Sequence, residues 1–350
     1  MKELVIDGVK IGAGYKPYII AEISANHNGD INKALRLIEI AKESGANAVK
    51  LQTYTADTMT IKSDREEFKI KGGLWDGHTL YDLYEWAHTP WEWHKKLFDK
   101  AKEVGISIFS TPFDESAVDF LMELKTPAFK IASFEATDIP LIEYIAKQGK
   151  PIIISTGMAN IEEIEQAVNT IKKYNDQLVV LHCVSSYPTP PEEMNLRTIV
   201  DISERFNVIS GLSDHTLGTT TAVVGVSLGA SVIEKHFIES REDKGPDSAF
   251  SLEPYELKKL VKETSTAFSS LGCANYDRKS SEKENIVFRR SIYFTKDLKK
   301  GDEITKENIR RIRPGFGIAP KFYNEILGQV VNKDISKGTP VHWDDINGTK

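Results

Sequence analysis

Residues 178–237 read LVVLHCVSSYPTPPEEMNLRTIVDISERFNVISGLSDHTLGTTTAVVGVSLGASVIEKHF. Three short apolar runs, at residues 178–187, 208–215 and 231–237, alternate here with two amphipathic stretches of helical length. Apolar runs separated by helices are typical of parallel strands that are covered on both faces. The stretch therefore predicts a repeated strand–helix unit in which each strand ends in polar residues.

The same unit recurs toward the amino terminus. Five more apolar runs lie at residues 18–26 (YIIAEISAN), 48–54 (AVKLQTY), 107–113 (SIFSTPF), 128–133 (AFKIAS) and 151–157 (PIIISTG). Helices are predicted at residues 31–44, 91–104, 115–124, 141–148, 161–174, 196–206, 219–228 and 254–271. Eight such units in about 270 residues predict a (β/α)8 TIM barrel. A doubly wound sheet is disfavoured because the turn after the first strand, NHNGD, has one glycine rather than a glycine-rich phosphate turn.

The composition excludes several function classes. The chain has 350 residues and a net charge of −6, so nothing favours a nucleic-acid partner. No run of about 18 apolar residues predicts a membrane span, and MKELVIDGVKIG lacks the apolar core of a signal peptide. The two cysteines, Cys183 and Cys273, cannot form a disulfide framework. We therefore expect a reduced, cytoplasmic setting.

Two regions depart from the repeated unit. Residues 55–90 separate the second strand from its helix by far more than the usual 2–6 residues and are dense in aromatic side chains. They are interpreted as a lid or specificity element, or alternatively as a structural excursion with its own small core. Residues 1–273 form the predicted barrel domain, and the charged residues 274–290 a linker. Residues 291–350 contain a weak repeat, KDLKKG at 296–301 and KDISKG at 333–338, and predict a compact β-rich module.

The strand ends carry residues capable of catalysis, and a barrel collects such ends on one face. Side chains alternate along a strand, so Ser213 shares a face with His215, and Glu234 with His236. The two histidines end adjacent strands and are candidate ligands of one divalent ion such as Mn²⁺, Co²⁺ or Zn²⁺. The alternative is that each histidine is an ordinary hydrogen-bonded residue of the barrel mouth.

Further strand ends supply donors for an anion. A phosphate or carboxylate needs several converging donors, and lysine provides a point charge. The candidates are Lys50, Thr111, Lys130, Ser133, Ser155 and Ser213. For any single serine, ordinary bonding to the backbone is the simpler interpretation. Either lysine could instead form a Schiff base with a carbonyl substrate, which is a competing chemistry.

Glu22 ends the first strand, where a carboxylate can move a proton or activate water. The alternative is an ion pair with Lys50 on the neighbouring strand, and the two roles are compatible at different stages. Asn28 or Asp30 is the candidate cap of the helix that follows.

Taken together, the motifs AEISANHNG, KLQTY, STPF, FKIAS, STGM, YPTP, GLSDH, EKHF and RPGFG resemble the sialic-acid synthase family. The resemblance covers the barrel and the C-terminal module, which is similar to the antifreeze-protein-like (SAF, β-clip) domain of that family. It implies a metal-dependent transferase that condenses phosphoenolpyruvate with an N-acetylated amino-sugar aldehyde and releases phosphate by C–O cleavage. KGGLWDG, TLYDLYEWAHTPWEWH and KIASFEATD are most similar to the subgroup whose acceptor is 2,4-diacetamido-2,4,6-trideoxy-L-altrose.

The resemblance also implies roles for individual residues. His215 and His236 would hold the metal, with Mn²⁺ expected and Mg²⁺ or Co²⁺ as alternatives, and Glu22 would be the base. Phosphoenolpyruvate would be bound by Lys50, Thr111, Lys130, Ser133, Ser155, Ser185 and Ser213. The sugar would be bound by Gln52, Glu135, Tyr187 and Asp247. Arg313, in RIRPGFG, matches an arginine that this family inserts into a partner subunit, which implies a domain-swapped homodimer.

Two departures and three rival functions remain. Ser185 stands where the N-acetylneuraminate enzymes have Asn, and residues 245–252 (GPDSAFSL) differ from their pattern around Asp247. The nearest rival is an N-acetylneuraminate or legionaminate synthase with the same chemistry. More distant are a Schiff-base aldolase and a non-enzymatic carbohydrate- or ice-binding protein, for which residues 291–350 alone would suffice.

Overall fold

The computed structural model describes residues 2–73 and 75–347. The chain divides into two compact units, Met1–Gly272 and Cys273–Lys350. Residue 1 of the predicted barrel domain and residues 348–350 of the predicted C-terminal domain lie outside the described part. Within the described residues, none of the helices combines the length and the apolar composition that a bilayer crossing requires.

The first unit begins with an antiparallel hairpin of β1 (Glu3–Ile6) and β2 (Val9–Gly12). Eight parallel strands then close into a barrel, which confirms the predicted fold class. They are β3 (Tyr18–Glu22), β4 (Ala48–Thr53), β5 (Ser107–Pro112), β6 (Phe129–Ile131), β7 (Ile152–Ser155), β8 (Leu178–Cys183), β9 (Ile209–Ser213) and β10 (Val232–His236). The chain closes by pairing β10 with β3, where His236 is in register with Glu22.

Each strand is shorter than the apolar run that predicted it, because the polar end of the run turns away from the sheet. After Glu22 the backbone turns, and the N–H of Asn26 donates to the carbonyl oxygen of Ile23 at 3.0 Å. After Ile131 a 3-10 helix, Ser133–Thr137, begins. The residues predicted as strand ends therefore lie either in the last part of the strands or in the loops that follow them, on one barrel face.

The predicted helices form at nearly the predicted bounds, and two further helices lie within residues 55–90, where none was predicted. The helices of this unit are α1 (Ile31–Glu43), α2 (Ala56–Met59), α3 (Leu80–Ala87), α4 (Trp91–Val104), α5 (Glu115–Glu123), α6 (Ile139–Ala146), α7 (Ile161–Lys172), α8 (Thr198–Phe206), α9 (Thr220–Ser227) and α10 (Pro254–Leu271). Of the two candidate caps of α1, Asp30 is the one used: its side chain accepts from the Asn32 N–H at 2.8 Å. The helix predicted at residues 141–148 starts earlier, because the Asp138 side chain caps it and accepts from Leu141 N–H.

The barrel interior is filled by large apolar side chains, not by a channel. Tyr18, Phe109 and Ile153 pack in one buried cluster with Leu4 and Ile11 of the hairpin. The hairpin therefore closes the amino-terminal end of the barrel, and the opposite end stays available for polar residues. Two larger clusters lie between the strands and the surrounding helices.

The second unit is built from short strands, as its sequence predicts. It contains β11 (Ser291–Phe294) paired with β12 (Ile309–Ile312), the short helix α11 (Tyr323–Ile326), and β13 (Val330–Val331) paired with β14 (Ile346–Asn347). The predicted linker at residues 274–290 includes an exposed 3-10 helix, Ser280–Phe288.

The sequence repeat is the basis of this second unit. Leu298 and Ile335, at equivalent positions of the two copies, exchange both backbone hydrogen bonds at 2.9 Å. The Asp297 carboxylate accepts from Lys337 N–H at 2.7 Å, and the Asp334 carboxylate accepts from Lys300 N–H at 2.9 Å. The two copies therefore pair through reciprocal contacts.

Candidate active site

The predicted site residues, apart from Arg313, lie at the carboxyl-terminal end of the barrel. Glu22, Ser155, Ser213 and His236 are the last residues of their strands. The others stand in the strands or in the loops that follow, and they are Lys50, Gln52, Thr111, Lys130, Ser133, Glu135, Ser185, Tyr187, His215 and Asp247. Arg313 lies in the second unit, directly after β12, and is exposed.

Two lysines and two glutamates form a buried charge network in the barrel mouth. Lys50 Nζ lies 2.6 Å from Glu22 Oε2 and 3.8 Å from Glu234 Oε1, and Lys130 Nζ lies 3.9 Å from Glu234 Oε1. Ser213 donates to the same Glu234 oxygen at 3.1 Å. The ion pair proposed as an alternative role of Glu22 is therefore present.

Burial and charge shift the pKa values of this network in opposite directions. Burial raises the pKa of Glu22 to about 7, although Lys50 opposes the shift. Burial lowers the pKa of Lys130 to about 8, and the charge of Glu234 opposes this. Burial disfavours the charged forms of Lys50 and Glu234 as well, but the opposite charges beside them outweigh it, so the pKa of Lys50 is raised and that of Glu234 is lowered. Glu22 is thus the carboxyl group that takes up a proton most easily.

The candidate anion donors extend from these lysines. Lys130 Nζ donates to Ser155 Oγ at 2.7 Å and to the carbonyl oxygen of Ile131 at 2.8 Å. Lys50 Nζ donates to Thr111 Oγ1 at 3.3 Å. Each lysine nitrogen is therefore held by oxygen acceptors in the barrel mouth, which suits recognition of an anion.

Gly157 brings two serines of the site together. Its N–H donates to Ser133 Oγ at 3.1 Å. A Cβ atom at this position would lie 2.1 Å from Ser185 Oγ and 2.8 Å from Ser133 Oγ, so a larger residue cannot fit without displacing both hydroxyl groups. The Ser185 hydroxyl is buried without a hydrogen-bond partner among the described residues.

The two histidines face each other across β9 and β10, with ring centroids 5.6 Å apart. His215 Nδ1 donates to the carbonyl oxygen of Val184 at 3.0 Å, so Nε2 carries the lone pair in the neutral ring. Burial lowers the pKa of His215, but Cys183 and the Val184 carbonyl outweigh it, so the pKa is raised. Burial keeps the pKa of His236 well below its usual value, and the imidazole is therefore neutral. His236 Nδ1 is buried without a hydrogen-bond partner and lies 3.6 Å from Asp247 Oδ2.

These features fit a divalent transition metal, because neutral imidazole nitrogens are its preferred ligands. Among the described residues, no cluster of three or more His, Cys, Asp or Glu side chains could hold a metal ion by itself. Two histidines would leave coordination positions open for substrate or water, as a catalytic ion requires.

A cavity of about 360 Å³ opens beside the histidines. Its polar residues are Ser24, Gln52, Glu135, Ser185, His236 and Asp247. Gln52 donates to Glu22 Oε1 at 3.2 Å and to Ser24 Oγ at 3.0 Å, which connects the cavity to the charge network. Burial raises the pKa of Glu135 to about 7, and its Oε2 has no hydrogen-bond partner among the described residues. Tyr187 packs on His215 with ring centroids 4.4 Å apart.

The sequence reasoning missed three residues of this site. Glu234 lies within ion-pair distance of both Lys50 and Lys130. The signal in the sequence was the alternation of side chains along the strand, which places Glu234 on the same face as His236. Ser24 donates to Asp247 Oδ2 at 2.5 Å, but no pattern in the sequence connects residues so far apart. Gly157 belongs to the site only through its contacts with Ser133 and Ser185, which the sequence alone does not show.

Several unsatisfied polar atoms lie in this region. Glu135 Oε2, Ser185 Oγ, Glu234 Oε2 and His236 Nδ1 are buried without hydrogen-bond partners among the described residues. Buried polar groups are nearly always paired in folded proteins. The carboxylate oxygens are acceptors that a donor group or a cation would satisfy, whereas the Ser185 hydroxyl can donate to an anion, so the site fits a polar ligand.

Comparison with known proteins identifies chains of similar sequence and fold. The NeuB family model matches residues 37–276, and the SAF domain model matches residues 289–347. The pseudaminic acid synthase of Campylobacter jejuni is 48% identical over 94% of this chain and 96% of its own length. The N,N'-diacetyllegionaminic acid synthase of Legionella pneumophila is 39% identical over 97% of this chain and 98% of its own. The crystal structure of the N-acetylneuraminic acid synthetase of Leptospira borgpetersenii, in complex with citrate, is 34% identical, covers 82% of this chain and 96% of its own, and has a TM-score of 0.73.

Proposed function

The chain belongs to the NeuB family, as its motifs predict, and on this premise we infer that it catalyses the reaction of a pseudaminic acid synthase. That reaction condenses phosphoenolpyruvate with 2,4-diacetamido-2,4,6-trideoxy-L-altrose and yields pseudaminic acid and phosphate. The observation that carries this choice of sugar is the 48% identity to a pseudaminic acid synthase, against 39% to a legionaminic acid synthase, both over nearly the whole chain.

Phosphoenolpyruvate would bind at the buried lysines, with its phosphate and carboxylate among the serine and threonine hydroxyls. The donors proposed for it are Lys50, Thr111, Lys130, Ser133, Ser155, Ser185 and Ser213. The empty network pairs two lysines with two glutamates, so an added anion needs compensation. The charge of the divalent metal proposed at His215 and His236 would supply that compensation, so that Glu22 stays ionised beside Lys50 and available as a base.

His215 and His236 would hold the divalent metal, for which Mn²⁺ is the first choice and Mg²⁺ or Co²⁺ the alternatives. A bound ion would polarise the aldehyde oxygen of the sugar as a Lewis acid. Tyr187 packs on His215 and would keep that ring in position, while the Val184 carbonyl fixes its tautomer. Asp247 restrains the second imidazole from its other side.

In the proposed reaction the electron pair of the C2–C3 double bond of phosphoenolpyruvate forms the bond from C3 to the aldehyde carbon of the sugar. The aldehyde oxygen takes up a proton and becomes a hydroxyl group, and water adds at C2. Glu22 takes the proton of that water, and Lys50 stabilises the carboxylate until then. The tetrahedral intermediate then breaks its C–O bond to phosphate, which leaves the 2-keto acid. Lys130 is held by Ser155 and would stabilise the charge of the departing phosphate.

The sugar would lie in the 360 Å³ cavity, with Gln52, Glu135, Tyr187 and Asp247 toward its polar groups. We also propose that Arg313 of a second copy completes the site, in a domain-swapped homodimer located in the cytoplasm. Arginine suits this role because its fork of N–H groups recognises carboxylate or carbonyl oxygens.

The test is phosphate release from phosphoenolpyruvate and Mn²⁺ with three acceptors: the trideoxy altrose, N-acetylmannosamine and the legionaminate precursor. Release with the altrose derivative alone, abolished by EDTA and restored by Mn²⁺, is the expected result. Release only with another sugar would move the chain to a sister subgroup. No release from folded, metal-loaded protein would overturn the proposal.

A further inference from the structure

The cavity beside the histidines has an apolar side that the reaction steps do not use. Met59, Trp75, Leu83, Tyr84 and Phe113 also line the cavity and are here called the apolar wall. Four of these five residues come from the long segment at residues 55–90. Their apolar surface faces a cavity large enough for a sugar.

The apolar wall is anchored to the catalytic face of the barrel. The Tyr54 ring packs edge-on against Tyr84 and Phe113, at centroid distances of 5.8 and 5.2 Å. Trp75 Nε1 donates to the carbonyl oxygen of Pro246 at 3.2 Å, next to Asp247. Its ring lies 6.0 Å from that of Tyr187. The segment is therefore fixed over the cavity by contacts to residues that surround the histidines.

The acceptor sugar has a matching polarity. Its aldehyde carbon must reach the histidine pair, where the new bond forms. Its other end carries a methyl group at C6 in place of a hydroxymethyl, together with the methyl of the acetamido group at C4. A hydroxyl group pressed against apolar side chains loses its hydrogen bonds to water without replacement, whereas a methyl group gains from the contact.

We propose that the apolar wall is the specificity determinant for the deoxygenated end of the acceptor, with Leu83 and Trp75 in contact with the C6 methyl group. This rests on the proposed function and adds the residues that distinguish a 6-deoxy sugar from a 6-hydroxy sugar. Apolar pockets reject an added hydroxyl by up to about 100-fold, and that sets the scale of the effect.

The experiment uses two acceptors that differ in one group, 2,4-diacetamido-2,4,6-trideoxy-L-altrose and its 6-hydroxy analogue. The discrimination ratio is kcat/KM for the first divided by kcat/KM for the second. We expect a ratio of about 10–100 for the wild-type chain. It should fall at least fivefold in Leu83→Asn and in Trp75→Ala, while the KM for phosphoenolpyruvate stays near its wild-type value.

The matched control is Trp86→Ala. Trp86 belongs to the same segment but is 46% exposed, stacks on His78 and does not line the cavity. Its variant should keep the wild-type ratio. If Leu83→Asn fails to fold, Trp75→Ala alone decides.

Each other outcome has a distinct meaning. A wild-type ratio near 1, or a ratio unchanged in both wall variants, overturns the inference and leaves the proposed function intact. No turnover of the trideoxy sugar by the wild-type chain overturns both.

Discussion

At the scale of single residues, the barrel mouth is organised by groups whose charge depends on their neighbours. Lys50 lies 2.6 Å from Glu22, and Glu234 lies between Lys50 and Lys130 at 3.8 and 3.9 Å. Breaking one partner of such a buried network leaves an uncompensated charge, which costs several kcal/mol. The arrangement is therefore suited to an anionic substrate that replaces or rearranges these pairs.

The histidine pair gives the first prediction. His215→Ala or His236→Ala should remove most turnover and most Mn²⁺ binding, because each removes one of the two proposed metal ligands, while the circular dichroism spectrum stays unchanged. Phosphate release and Mn²⁺ titration by electron paramagnetic resonance measure the two effects. His88→Ala is the control, since His88 is only half-buried and its Nδ1 donates to the Glu85 carbonyl oxygen. Wild-type activity in either site variant would contradict the metal assignment.

Glu135 gives a prediction about pH. Burial raises its pKa from 4.5 to about 7, so between these values the folded chain holds a proton that the unfolded chain has lost. The contribution of this carboxyl group to the free energy of unfolding is therefore fully present below pH 4.5 and is lost as the pH rises through about 7. Glu135→Gln removes the decline. The variant should have a larger free energy of unfolding than the wild type. We expect this difference to be about 1–2 kcal/mol greater at pH 8 than at pH 5.

Urea unfolding at the two pH values measures this difference. Glu123→Gln, at an exposed position that ends α5, is the control and should show no such dependence. An equal effect of Glu135→Gln at both pH values would show that the carboxyl group of Glu135 keeps its ordinary pKa in the folded chain.

At the scale of elements, the strands and the loops that follow them both contribute residues to the site. β6 ends at Ile131, and the 3-10 helix that follows turns Ser133 toward Gly157. Lys130 and Ser133 have opposite parity along the strand and reach the same region only because the strand ends between them. The apolar runs thus determine the order of the strands. The positions of the donor side chains depend on the residue at which each strand ends.

The turn after β7 gives the third prediction. Gly157→Ala would place a methyl group 2.1 Å from Ser185 Oγ and 2.8 Å from Ser133 Oγ. Displacement of the two hydroxyls should lower kcat/KM for phosphoenolpyruvate by about tenfold or more, since a 1.4 kcal/mol loss is tenfold. Steady-state kinetics with varied phosphoenolpyruvate provide the measurement.

Gly14→Ala is the matched control, because a Cβ at Gly14 meets no atom within 4 Å. It should have wild-type kinetics. Unchanged kinetics in Gly157→Ala would remove Ser133 and Ser185 from the phosphoenolpyruvate site.

At the scale of the whole molecule, the chain is two units, and each has its own core. The barrel core is closed at one end by the amino-terminal hairpin, whereas Ile292, Phe294 and Val341 lie in the separate core of the second unit. The resemblance assigns Arg313 to a site shared between subunits, and the exposed position of Arg313 beyond β12 leaves its guanidinium group available.

A mixing experiment gives the fourth prediction. Arg313→Ala and Glu22→Ala chains should each be nearly inactive alone. If the arginine acts in trans in a symmetric dimer, a 1:1 mixture that exchanges subunits should recover about a quarter of wild-type activity. The reason is that half of the dimers are mixed, and each mixed dimer has one intact site.

Phosphate release after verified subunit exchange is the measurement. Mixing each variant only with itself is the control and should give no recovery. If dimers shown to contain both chains remain inactive, the site is not shared in trans.

The sequence by itself determined the barrel, the C-terminal module and most of the candidate site. Apolar runs that alternate with amphipathic stretches allow few arrangements, and a polar residue at the end of a buried strand must reach the open face. Only the tertiary structure decided that Glu234 joins Lys50 to Lys130, that Ser24 bonds Asp247, and that residues 55–90 form an apolar wall. The physical reason is that spacing along a strand fixes which face a side chain occupies, whereas contacts between distant loops depend on where the closed barrel brings those loops together.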